Sequence, residues 1–125
     1  MRELTGHKVN PANDKLLVRV LDEPGHGGAC HEYSITVPDG DGMTRTHSSY
    51  PIRFQNGPIN EVGVNGLTHE ALLAILIDRM EGFQAGPYAS GDNQEALDAM
   101  RRAQTPLQRR TLARMARGVE GTLEK

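Results

Sequence analysis

The sequence predicts an α+β fold, with a small, mostly antiparallel β-sheet in the N-terminal half packed against two C-terminal α-helices that form a hairpin. Three observations carry this prediction. Apolar and polar residues alternate in segments before residue 56, the turn dipeptides Asn56-Gly57 and Asn65-Gly66 follow, and after Thr68 the apolar spacing becomes helical.

The first twelve residues lack periodicity and are expected to form a loose arm. Lys15 to Leu21 (KLLVRVL) is a short run rich in Leu and Val, which suits a buried strand. The Pro and three Gly between Asp22 and Ala29 make a loop. Tyr33, Ile35 and Val37 then alternate with Glu32, Ser34 and Thr36, the pattern of a strand with one wet face. Pro38 to Gly42 breaks it. Tyr50 to Gln55 places Tyr50, Ile52 and Phe54 on one side and Arg53 and Gln55 on the other, and Pro51, lacking an N–H, assigns this strand to an edge or to its first turn. Asn60 to Val64 is expected to return as a short strand through Val62 and Val64.

The period then changes. Thr68 suits an N-cap, with Glu70 in the first turn where the helix dipole favours a carboxylate. Leu72, Leu73, Ile75, Leu76, Ile77, Met80 and Phe83 cover more than one face, which predicts a helix buried on both sides and ended by Gly82, Gly86 and Pro87. A second helix restarts at Asp92. Pro106 would kink or break it, and Gly118 and Gly121 would stop it.

At 125 residues the chain is expected to be a single domain, residues 1–125, with a β-rich half at 1–66 and a helical hairpin half at 67–122. Only five aromatic residues and fourteen Gly make a lean core, which suggests association between copies. No apolar run approaches the roughly 20 residues of a membrane span, and Met1 to Gly6 is too polar for a signal peptide. The single Cys30 can form no internal disulfide, in keeping with a reducing compartment. A net charge of −2 argues against a dedicated duplex-DNA binder.

Arginine carries the strongest chemical signal. From Ala99 to Val119 there are six Arg and no Asp or Glu, and Arg110, Arg114 and Arg117 share one helix face. The guanidinium fork matches a phosphate bidentately. The same stripe also reads as a solvated helix tail, or as the reading face of an Arg-rich-helix nucleic-acid-binding regulator. Phe83 is either core or a stacking platform, and Asn93 either a helix cap or a polar contact. His26, Cys30 and His31 lack a fourth metal ligand at any familiar spacing, so neither a metal nor a cofactor is assigned. No nucleophile with a base is evident, so no catalytic residue is assigned and the chain is read as a binder, not an enzyme.

Two segments carry a family resemblance. FQNGPINEVGVNG at Phe54 to Gly66, with Gly82-Phe83-Gln84 closing the apolar helix, and Arg110-Thr111 with RGVEGT at Arg117 to Thr122, resemble the Thoeris anti-defence phage proteins. These are signal-sequestering sponges whose helical hairpin is shared with the anti-CBASS sponge. The resemblance covers roughly residues 30–122. It implies capture, without cleavage, of glycocyclic ADP-ribose made by TIR enzymes, and in some members of cyclic trinucleotides or dinucleotides at a separate site. It also implies a homo-oligomer, dimer or hexamer, acting in the host cytoplasm, with no membrane and no nucleic-acid polymer as partner.

The binding positions implied by this resemblance are Phe83, Asn93, Arg110 and Arg114. Phe83 would stack the adenine, Asn93 would bond a polar edge, and Arg110 and Arg114 would grip the diphosphate. The two groups are expected to meet either across an interface between copies or between the two helices. The chain departs from the family at Ser90-Gly91-Asp92-Asn93, where relatives commonly carry Cys-Arg-Glu-Asn, and at Arg101 to Pro106, which replaces a Leu- and Trp-bearing acidic stretch.

Overall fold

A computed structural model of the chain describes residues 1–38 and 47–116. Residues 39–42 of the break expected at Pro38 to Gly42, the helix stops expected at Gly118 and Gly121, and Arg117 lie outside the described residues. The fold is α+β, and the chain divides into two compact units. One comprises Met1–Gly57 and Val64–Gly66; the other comprises Pro58–Gly63 and the chain from Leu67 onward.

The first unit is a four-stranded antiparallel sheet: β1 (Arg2–Leu4), β2 (Leu17–Val20), β3 (Glu32–Pro38) and β4 (His47–Arg53), in sequence order. Its register puts Tyr33 opposite both Val20 and Ile52, and Ile35 opposite both Val18 and Tyr50. Because successive residues of a strand face opposite sides, Leu4, Val18, Val20, Tyr33, Ile35, Val37 and Ile52 share one face. Val20 is fully enclosed there, and Tyr33 meets Phe54 edge to face at 5.7 Å. Pro51 sits on β4, at the sheet edge where its missing N–H interrupts no interior ladder.

Two expectations for this half are corrected. The N-terminal arm is structured: β1 pairs with β2, His7 Nε2 lies 2.8 Å from the Leu16 carbonyl, and Asn10 accepts bonds from the Ala12 and Asn13 amides. Three residues are too few for alternation to reveal a strand. The returning strand at Val62 and Val64 is absent. Pro58 fixes φ at −68° and accepts from the Glu61 and Val62 amides, so Ile59–Val62 forms the single-turn helix α1, ended by Gly63 at φ 76°.

Asn65 does the closing instead. Its side chain accepts from the Asn56 amide at 2.8 Å and donates to the Asn56 carbonyl at 2.7 Å, while its amide donates to Gln55. Gly66 follows against the backbone of Phe54 and Gln55, so close that a Cβ would strike both. A glycine is therefore required at this neck by close approach and not by its dihedral angles.

The second unit is the hairpin of α2 (His69–Gln84) and α3 (Gly91–Ala116). Thr68 caps α2 as expected, accepting from the Ala71 amide at 3.1 Å. The helix runs through Gly82 and ends at Gln84, with Ala85 and Gly86 bonding back to Glu81 and Phe83. Buried or partly buried positions recur at 70, 73, 77, 80 and 84 on α2 and at 93, 97, 100, 104, 107, 111 and 114 on α3, with 72 and 98 partly buried beside them. This alternation of three and four is the seam of two antiparallel helices.

The burial expected of α2 on both sides is not found. No residue of α2 is buried, and Ile75 and Leu76 are 63% and 48% exposed. Among the described side chains of α3 only Leu97 is buried. Apolar spacing over several faces reported surfaces that this chain alone leaves open. The helix also neither breaks nor restarts at Pro106, which lies inside α3. Pro106 has no N–H to give the Arg102 carbonyl, and beside it the Thr105 hydroxyl makes the ordinary helical back-bond to the Arg101 carbonyl at 3.3 Å.

Candidate ligand-binding site

At the closed end of the hairpin the connection is tied by side chains. Gln84 accepts from the Ser90 amide and donates to the Ser90 carbonyl and to Gln94, all at 3.0 to 3.1 Å. Ser90 accepts from the Asn93 amide at 3.1 Å and so caps α3, the task considered for Asn93. Asn93 is freed of that task, and its side-chain amide donates to the Tyr88 carbonyl at 3.3 Å. Phe83, next to Gln84, is 37% exposed, with the Arg79 guanidinium 5.0 Å from its ring centroid. An exposed aromatic face, an amide and a cation therefore share this end.

The open end gathers around Glu70 in the first turn of α2. One carboxylate oxygen accepts from the Thr111 hydroxyl at 3.2 Å, the other lies 3.9 Å from Arg110, and the Glu70 carbonyl accepts from Gln104. Arg110 is 60% exposed, so this long pair is screened and leaves the guanidinium accessible to a second anion. Arg114, half-buried, follows one turn later on the same stripe. A helix rises 1.5 Å per residue, so Asn93 and Arg110 stand about 25 Å apart along α3. A ligand pocket of several hundred Å³ is roughly 10 Å across. One hairpin therefore cannot bring Phe83 and Asn93 to the same small molecule as Arg110 and Arg114, which removes the arrangement between the two helices of a single chain.

The Acb2/Tad1 hairpin domain family matches residues 50–111 of this chain. The protein named Thoeris anti-defense 1 from Bacillus phage SBSphiJ7 is 38% identical over 101 residues, a span of 81% of this chain and 66% of that protein. This chain belongs to the Thoeris anti-defence family. The matched hairpin domain of this Thoeris anti-defence chain includes Phe83, Asn93 and Arg110, while Arg114 lies three residues beyond its end.

Three features of the site escaped the sequence reading. The run from Ala99 to Val119 contains no carboxylate, yet α2 supplies two from across the hairpin: Glu81 meets Arg101 at 2.8 Å and Glu70 faces Arg110. The Arg excess is thus partly answered, with Arg102 and Arg109 exposed and unpaired with any carboxylate among the described residues. Arg79 was missed because it lies outside the Arg-rich run, although its spacing of four before Phe83 is the signal that would have found it. Ser90 carries the α3 cap.

Elsewhere, His31 and Cys30 both engage Asp22. The Asp22 carboxylate accepts from the His31 amide at 3.0 Å and the Glu32 amide at 3.1 Å, and Cys30 Sγ faces the Asp22 carbonyl at 3.5 Å. Partial burial raises the Asp22 pKa, but the two amide bonds and the nearby His31 outweigh it and hold the carboxyl below its ordinary value. Among the described residues no helix is long and apolar enough to cross a membrane.

Proposed function

We propose that this protein is a stoichiometric sponge that captures glycocyclic ADP-ribose without cleaving it and so withholds the signal from its effector. The observation that carries the reading is the composition of the hairpin's two ends: an exposed Phe83 with Asn93 at one, and Arg110 with Arg114 at the other. A cyclic nucleotide with a diphosphate needs a stacking face, a polar contact for the base and a guanidinium grip on the phosphates.

The site is completed by two copies, with the closed end of one hairpin meeting the open end of another. Competing for a signal at nanomolar to low micromolar concentration requires about −10 to −12 kcal/mol, which a small anion reaches only when nearly enclosed. One exposed helix face does not enclose it. The uncovered Ile75, Leu76 and Leu112 support association, because they form apolar surface that a single chain leaves wet. A dimer is the minimum assembly and a hexamer extends it. Cyclic trinucleotides or dinucleotides at a separate site remain a second cargo, and the host cytoplasm is where such a sponge acts.

Titration calorimetry with glycocyclic ADP-ribose tests the reading, followed by heating the complex and identifying the released molecule. Tight binding with intact ligand returned supports the sponge. An altered product would make the protein an enzyme, and preferential, salt-sensitive binding of DNA or RNA would make it the Arg-rich-helix regulator.

A further inference from the structure

We propose that Arg79 contacts the ligand as well, giving the aromatic end of the site its own cation for an anionic nucleotide; this rests on the reading of Phe83 as the stacking platform. Arg79 and Phe83 stand four residues apart on α2, so their side chains lie on one face, one turn apart. The Arg79 guanidinium carbon is 5.0 Å from the Phe83 ring centroid, within the range of a cation–π contact, and both side chains are exposed.

Charge distribution makes this placement more than a cover for the ring. Among the described residues no carboxylate pairs with Arg79, although Asp78 and Glu81 flank it in sequence. Glu81 is held by Arg101 at 2.8 Å, and Glu70 lies beside Arg110. Arg79 thus has no ion-pair partner among the described residues, and Asp78, one residue before it, points to a different side of α2. A guanidinium resting against a ring keeps its N–H donors directed outward in its own plane, where a phosphate can take two of them. Arg79 lies over the Phe83 ring, which is still 37% exposed and so keeps surface for a base.

The competing description is that Arg79 only props the ring, and two substitutions separate the two. Arg79→Met keeps an aliphatic cover over Phe83 and removes the charge; Arg79→Lys keeps the charge and loses the fork. Each variant and the wild type are titrated with glycocyclic ADP-ribose at low and high salt, with melting temperature as the control. The expected result is an affinity loss of about tenfold or more for Arg79→Met, the scale of one charge-assisted hydrogen bond. Its binding also becomes less sensitive to salt, Arg79→Lys recovers part of the loss, and melting is unchanged. Wild-type affinity in Arg79→Met overturns the proposal, as does a loss that leaves the salt dependence intact. A wild-type protein that binds nothing overturns the sponge reading itself, before either variant is consulted.

Discussion

The sheet unit and the helical hairpin solve the problem of holding shape in different ways. In the sheet, side chains bond backbone at the places where the chain turns: Asp22 gathers the His31 and Glu32 amides, and Asn65 and Gln55 close the neck at Asn56. Val20, Cys30 and His31 are buried within this frame. In the hairpin a single seam joins two helices, polar side chains tie its two ends, and apolar positions off the seam stay exposed. The sheet unit uses its polar side chains to finish itself. The hairpin leaves guanidinium, aromatic and apolar surface available, as the proposed sponge requires of the half that would meet ligand and other copies.

The comparison breaks first at Gly66. Alanine there would drive a Cβ into the Phe54 and Gln55 backbone, which cannot yield as a flexible side chain would. Gly66→Ala is expected to cost about 3 kcal/mol of stability in denaturant unfolding. An unchanged midpoint would mean that the neck is not the rigid closure described.

The next largest effects fall on binding. Arg110→Ala and Arg114→Ala should each reduce affinity for glycocyclic ADP-ribose by about 100-fold, near 3 kcal/mol, while gel filtration shows an unchanged assembly. Normal binding by both would remove the phosphate role from the open end of the hairpin. A smaller effect is expected at the α2 cap, where Thr68→Ala loses the bond to the Ala71 amide and about 1 kcal/mol. That loss should appear in helix melting and leave ligand stoichiometry intact.

Acid provides the finest probe of the sheet. The lowered Asp22 pKa stabilises the fold fully above the ordinary carboxylate value of about 4 and ceases to do so as pH falls through the lower folded value. Melting followed from pH 5 downward should therefore show a loss of stability that is shallower in Asp22→Asn.

Much of this architecture was legible in the sequence where a signal repeats. The alternation of Tyr33, Ile35 and Val37 located β3, Pro51 marked an edge strand, and Thr68 with Glu70 marked the start of α2. What was not legible depends on partners distant along the chain. The strand Arg2–Leu4 is too short to show a period and exists by pairing with β2. Pro58 turned the apparent Val62 and Val64 strand into α1, and the clasp of Asn65 on Asn56 closes the loop around it. At the site, the Arg stripe was evident but its neutralising carboxylates, Glu70 and Glu81, come from the other helix. The separation of Asn93 from Arg110 follows from helix geometry once α3 is known to run unbroken through Pro106.

The central claim is that one binding site takes Phe83 and Asn93 from one copy and Arg110 and Arg114 from another. Mixing two defective variants tests it most directly. Phe83→Ala and Arg110→Ala, each inactive alone, are unfolded together, refolded as mixed oligomers and titrated with glycocyclic ADP-ribose. In a two-fold symmetric pair of copies, half of the random pairs contain both variants and each restores one of its two sites, so about a quarter of the wild-type sites should bind at wild-type affinity. Mixed oligomers that recover no sites, although their assembly is intact, would contradict the account and show that Phe83 and Arg110 do not complete one site between two copies.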